Sequence, residues 1–135
     1  MANKVIHTSG KRKSAIARAT IRPGNGIVRV NRKLIDNYEP KLSRQLIREP
    51  LLLAGDVMNK VNVSVKVMGG GSVSQATASR LAIARGLVQW SKSDKLEKVF
   101  AGYDRGLLVA DVRRKESSKP NAHGKARAKR QKSYR

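Results

Sequence analysis

The sequence contains no cysteine, which removes disulfide frameworks, thiolate metal sites and thiol nucleophiles together. Aromatic residues are scarce, with one Trp, three Tyr and one Phe in 135 residues. The core must therefore be aliphatic, and base-stacking platforms are not expected to dominate any nucleic-acid surface. No uninterrupted apolar run exceeds four residues, as at Leu51 to Ala54, far short of the roughly 18 that a membrane span needs. No apolar segment of the signal-peptide kind opens the sequence, so the expectation is a soluble intracellular protein with no membrane partner. Acidic side chains are scarce too, nine against 30 Lys and Arg, which gives a formal charge of +21. That excess costs self-repulsion unless a polyanion neutralises it, so nucleic-acid binding is the expected class.

The excess is unevenly placed. Residues 1–35 carry +9 with no acid, residues 36–110 carry +4, and residues 111–135 carry +8. A nearly balanced middle suits a packed body. From Ser117 onward the chain holds seven basic residues, no acid, and no Val, Ile, Leu, Met, Phe or Trp. Such a segment buries too little apolar surface to offset its ordering entropy and is expected to be disordered alone in water. Its 19 residues could span about 60 Å at roughly 3.3 Å each, against a body with a radius of gyration near ~13 Å. The domain expectation is a globular body over residues 1–110 and a basic C-terminal tail over 111–135.

Alternation predicts strands at Val5 to Ser9 and Ser14 to Arg22, with Ala15, Ala17, Ala19 and Ile21 on one face and Ile16, Arg18, Thr20 and Arg22 on the other. The turn signals in Arg22-Pro23-Gly24-Asn25-Gly26 predict a hairpin to a returning strand at Ile27 to Val30. Residues 40–58 read as helix in two pieces, broken or kinked near Glu49 by Pro50. Val61 to Val67 alternates without a fault and is rich in β-branched residues, so it predicts another strand. A helix follows from about Val73 to Trp90, with Ser72 and Gln75 in capping-box spacing, and a shorter one from Asp94 to Gly102 with Asp94 as its cap. Four strands and these helices make an α+β or α/β domain of two layers.

Gly69-Gly70-Gly71 between a strand and a helix invites a phosphate-loop reading, but the Gly-Lys-Ser/Thr of one fingerprint and the third small residue and spaced acid of the other are missing. His7 and His123 have no acidic neighbour in sequence, so neither suits general acid/base or metal chemistry, and no enzyme activity and no cofactor is expected. The clusters Lys11-Arg12-Lys13 and Lys125-Ala126-Arg127-Ala128-Lys129-Arg130 remain, and they point to recognition of phosphate backbone and shape in a large folded RNA.

The segment with Gly69-Gly70-Gly71, Ser74-Gln75, Ala78, Ala82, Ala84 and Arg85-Gly86-Leu87 resembles the signature of the universal small-subunit ribosomal protein nine family. Gly10-Lys11-Arg12-Lys13 is similar to that family's N-terminal block. Asp111-Val112-Arg113-Arg114-Lys115-Glu116 and Gln131-Lys132-Ser133-Tyr134-Arg135 resemble its C-terminal block in the archaeal and eukaryotic form. One departure is Arg130, where relatives often carry an aromatic residue. The resemblance implies an α+β fold with a four-stranded sheet, helices on one face, a left-handed βαβ crossover and a long extended basic tail. It implies a structural role in the head of the cytoplasmic small ribosomal subunit, beside neighbouring head proteins. Carried over, Lys11, Arg12, Lys13, Arg18, Arg113, Arg114, Lys119, Lys125, Arg127, Lys129 and Arg130 would bind ribosomal RNA. Lys132, Ser133, Tyr134 and Arg135 would approach the anticodon stem-loop of peptidyl-site transfer RNA. The rival readings are a protein subunit of an RNA-processing ribonucleoprotein and a DNA-compacting protein.

Overall fold

A computed structural model describes residues 4–121 and 126–127. Five strands form one mixed sheet: β1 (Ile6–Arg12), β2 (Ala15–Pro23), β3 (Val28–Val30), β4 (Lys33–Leu34) and β5 (Val61–Met68), in the order β1-β2-β5-β3-β4. Three helices accompany it: α1 (Lys41–Ala54), α2 (Ser72–Ser91) and α3 (Asp94–Tyr103). β1 to β2, β2 to β5 and β3 to β4 pair antiparallel, whereas β3 and β5 pair parallel and are joined through α1. The α+β class and the helix layer agree with expectation. The sheet has five strands instead of four because Lys33 and Leu34 add a short edge beside β3.

The period-two pattern decides which face is covered. Ala15, Ala17, Ala19 and Ile21 of β2, Val28 and Val30 of β3, and Val61, Val63, Val65 and Val67 of β5 are all buried on one face. Burying each Val or Ile contributes about 1.5–3 kcal/mol relative to leaving it in water. The alanines and Gly10 let α2 lie close: a Cβ on Gly10 would stand 2.8 Å from the Ala82 amide nitrogen and 3.1 Å from the Leu81 Cβ. Thr8 Oγ1 donates to the Ala82 carbonyl at 2.7 Å, fixing the same side of β1 against the helix.

Four local expectations are corrected. β2 and β3 do not form a hairpin, because β5 inserts between them. The Pro-Gly-Asn-Gly segment instead wraps the start of β5, where Asn62 Oδ1 accepts the amides of Asn25 and Ile27, each at 3.0 Å. The short hairpin is β1–β2, closed by Lys13 and Ser14 with Lys13 at φ 52°. Pro50 does not divide α1, which runs through it. The ring is fully buried, and that packing offsets the missing amide hydrogen bond. The Ser72 capping box does not form either: Gly71 is the cap residue, and Gln75 Nε2 reaches back to the Gly69 carbonyl at 3.1 Å. At α3 the cap residue is Ser93, and Asp94 stands in the first turn, where its charge favours the helix dipole.

Candidate nucleic-acid interface

The sheet face away from the helices is open. Alternation places His7, Ser9 and Lys11 of β1 on it, with Ile16, Arg18, Thr20 and Arg22 of β2, Arg29 of β3, and Asn62, Ser64, Lys66 and Met68 of β5. Register gathers these side chains into rows. Arg18 stands between Ser9 and Lys66, Thr20 between His7 and Ser64, and Arg22 opposite Asn62. Arg18 to Arg22 covers about 13 Å along one strand. No strand residue is acidic: all nine acids lie between or beyond the strands, at positions 36, 39, 49, 56, 94, 97, 104, 111 and 116. No Phe, Tyr or Trp stands on this face, which presents cations, hydroxyls, one amide, the His7 imidazole and the apolar side chains of Ile16 and Met68. It suits phosphate and sugar contacts rather than base stacking.

A second cationic surface adjoins the first at the β1–β2 turn. Lys11, Lys13 and Ser14 line a groove of about 690 Å³ with Arg113, Arg114 and Lys115 of the segment that leaves the body after α3. Five cations and no acid line it.

The residues expected to bind RNA are thus separated by the fold. Lys11 and Arg18 face the open sheet, Lys13 is exposed in the turn, and Arg113, Arg114 and Lys119 are exposed in the C-terminal segment. Arg12 differs: it points to the helix side of β1, where its Nη1 lies 3.4 Å from Asp111 Oδ2. Arg113 grips the same carboxylate, with Nη2 to Oδ2 at 2.7 Å and Nε to Oδ1 at 3.1 Å, and donates its backbone amide to Oδ1 at 2.8 Å. The Arg113 guanidinium, then its amide, hold the Asp111 carboxyl well below the usual carboxylate range, and the Arg12 charge adds to this. Arg127 is exposed and forks onto Glu116, with Nη2 to Oε1 at 2.6 Å. An exposed pair of this kind contributes about 0–1 kcal/mol, so a phosphate can replace it. Lys125, Lys129, Arg130, Lys132, Ser133, Tyr134 and Arg135 lie outside the described residues.

Sequence reasoning passed over Arg22, Arg29, Lys66 and His7 as a group. Alternation in β2 and β5 assigns Arg22 and Lys66 a face, but only the strand order brings them together with Arg29. Among the described residues no group of three His, Asp or Glu is placed to hold a metal ion, and no helix is long and apolar enough to cross a membrane.

The family model described as Ribosomal protein S9/S16 matches residues 10–135. Small ribosomal subunit protein uS9 of Methanococcus vannielii is 46% identical over 133 residues, covering 98% of this chain and 99% of that protein. The proteins of the same name from Methanococcus maripaludis strains C7 and C5 are each 47% identical, with the same coverage. The likeness takes in the β1–β2 turn, the glycine-led start of α2 and the C-terminal basic segment in one alignment, and the chain belongs to the ribosomal protein S9 family.

Proposed function

We propose that the chain is a structural constituent of the small ribosomal subunit, of the archaeal type, that binds ribosomal RNA through the open sheet face and the groove at the β1–β2 turn. The observation that carries this reading is the acid-free sheet, whose exposed face sets Arg18, Arg22, Arg29 and Lys66 in adjoining rows. Family membership over nearly the whole chain supports the ribosomal assignment, since the relatives are small-subunit proteins. RNA binding here is electrostatic and geometric: cations displace condensed counterions, while hydroxyls and the Asn62 amide complete the contacts to sugar and phosphate.

In the same reading residues 1–110 are the body and residues 111–135 the tail, and the β3–α1–β5 crossover is left-handed, as the family resemblance implies. The tail carries Lys125, Arg127, Lys129 and Arg130 along ribosomal RNA and brings Lys132, Ser133, Tyr134 and Arg135 to transfer RNA in the peptidyl site. Its support is resemblance together with reach, about 60 Å for 19 residues. Neighbouring proteins of the subunit head contact the remaining surface.

The test is sedimentation of a lysate containing the tagged chain, with and without residues 132–135. Both forms co-migrate with the small subunit, and subunits carrying the shortened form retain peptidyl-site transfer RNA less well. Migration of the full chain with transfer-RNA precursors or with the chromosome rejects the assignment. Equal loss of incorporation and transfer-RNA retention on truncation rejects the division between body and tail.

A further inference from the structure

Three arginines of the body grip one short segment. α3 ends at Tyr103, and the chain then turns through Arg105–Leu107 before running out without regular structure. At the start of this run Asp104 accepts the Gly106 amide at 2.8 Å through Oδ1 and Arg80 Nη2 at 2.9 Å through Oδ2. Arg80 is nine-tenths buried in α2, and the same nitrogen lies 2.5 Å from Glu49 Oε2 of α1. Leu107 is fully buried. Next, Arg85 of α2 donates Nε to the Leu108 carbonyl at 3.0 Å and Nη1 to the Ser9 carbonyl at 3.1 Å, so one guanidinium joins the segment to β1. Finally Arg12 meets Asp111 at 3.4 Å.

The spacing is informative. Ser9 to Arg12 is three residues along β1, and Leu108 to Asp111 is three residues along the segment, so the two keep step for about 10 Å. β1 is an edge strand. A strap fastened along it fixes the point at which the chain leaves the body, and that point adjoins the β1–β2 turn. Arg113, Arg114 and Lys115 then come to line the groove with Lys11 and Lys13. Arg12 Nη1 is shielded from solvent and makes no hydrogen bond among the described residues, so its 3.4 Å approach to Asp111 is a contact between charges. Lys11, Lys13 and Arg18 are in no ion pair among the described residues, whereas Arg12 Nη1 already stands against Asp111.

We propose that Arg12, with Arg80 and Arg85, holds residues 104–111 as a strap that sets where the basic C-terminal segment begins, and that Arg12 acts on RNA binding through Asp111 instead of by contact with phosphate. The proposal rests on the RNA-binding reading above. It makes Arg12 and Asp111 positioning residues, and it gives Asp111 an effect opposite in sign to that of its charge. Simple electrostatics says that removing an acid from an RNA-binding surface tightens binding. Loss of the strap's last fastening instead releases Arg113, Arg114 and Lys115 from the groove and weakens binding.

The absence of cysteine allows two to be introduced for spin labels in the full-length chain, at Asn25 and at Val112 directly after the strap, both exposed. Electron–electron distance distributions and salt-dependent binding to a transcript of the small-subunit ribosomal RNA are measured for the parent, Asp111→Asn, Arg12→Gln, Arg12→Lys and the Asp111→Asn/Arg12→Gln double variant. The parent and Arg12→Lys give a narrow distribution, and the other three a broad one. Asp111→Asn and Arg12→Gln each lower the salt slope by about 2, from three contacts at roughly 0.7 each, and the double variant is no weaker than either. Tighter or unchanged binding by Asp111→Asn overturns the proposal, as does loss in Arg12→Gln alone, which makes Arg12 a phosphate ligand. Equally narrow distributions in all five also overturn it. If the parent shows no salt-dependent RNA binding, the functional reading fails, while the distance distributions still judge the strap. Should Asp111→Asn fail to fold, the contrast between Arg12→Gln and Arg12→Lys decides.

Discussion

Replacing Arg18, Arg22, Arg29 and Lys66 together by glutamine separates RNA binding from folding. All four point away from the buried sheet face, so the core loses nothing, and glutamine keeps part of each apolar stem. Arg18 and Lys66 stand directly opposite in the β2–β5 register. Like charges so placed cost roughly 0.2–1 kcal/mol, and the substitution relieves that cost. The variant should therefore melt at the parent temperature or slightly above it. RNA binding should respond very differently. Four phosphate contacts at about 0.7 to 0.9 each make up about 3 units of the slope of log affinity against log salt. Between 50 and 200 mM salt the parent then loses about 60-fold more affinity than the variant. The assay is filter binding or fluorescence anisotropy with a ribosomal RNA transcript at several salt concentrations, beside thermal melts of both proteins. An unchanged slope with the fold intact would refute the assignment of the sheet face. A melting temperature lowered by more than a few degrees would show that these side chains support the fold instead.

Gly10→Ala should destabilise the body by about 1–3 kcal/mol, because its Cβ meets the Ala78 carbonyl and the Ala82 amide of α2, which move only if the helix lifts from β1. At about 4–8 °C per kcal/mol for a body of this size, a melting temperature within about 2 °C of the parent would contradict the close packing. Asp104→Asn should show its effect through pH. The Gly106 amide, then Arg80, lower the Asp104 carboxyl from its ordinary 3.8 against an opposing contribution from burial. A depressed folded value means that its stabilisation is full above the ordinary value and is lost as pH falls through the folded one. The gap in melting temperature between parent and variant should be open at pH 6 and close below about pH 4; a gap that persists at low pH would exclude the carboxylate as its source.

What the sequence makes legible here is whatever depends on near neighbours. Alternation in Ala15 to Ile21 and Val61 to Val67 assigns the buried face of two strands correctly. The Pro-Gly-Asn-Gly signals announce a reversal of direction, and a reversal does occur. They do not say which strand lies beside β2 after it, because that choice is made by Asn62 and the β5 backbone some 35 residues away. Pro50 shows the same limit from the other side: a local rule against helix yields to tertiary burial. The basic cluster Lys11-Arg12-Lys13 looks like one site in sequence. It becomes three different positions once β1 is seen to continue to Arg12, with one side chain on the open face, one on the helix side and one in the turn. Arg22, Arg29 and Lys66 are isolated charges in sequence and form one surface only because β5 lies between β2 and β3.

The scarcity of acids then acquires a positive meaning. Every ion pair among the described residues uses arginine: Asp36 with Arg48, Glu49 and Asp104 with Arg80, Asp111 with Arg12 and Arg113, and Glu116 with Arg127. The planar fork of arginine suits a fixed carboxylate better than the mobile ammonium of lysine. Five of the nine acids, Asp36, Glu49, Asp104, Asp111 and Glu116, thus hold chain segments to one another, and none of the nine stands in the sheet. Arg18, Arg22 and Arg29 have no acid to meet on their strands and keep their charge for an external partner. Counting arginines thus overstates the RNA contacts of the body, since Arg12, Arg48 and Arg80 are already engaged. An arginine-to-lysine exchange follows the same division: on the sheet it keeps the charge that counts, and at Arg80 it shortens a nine-tenths-buried side chain whose Nη2 bridges Glu49 and Asp104.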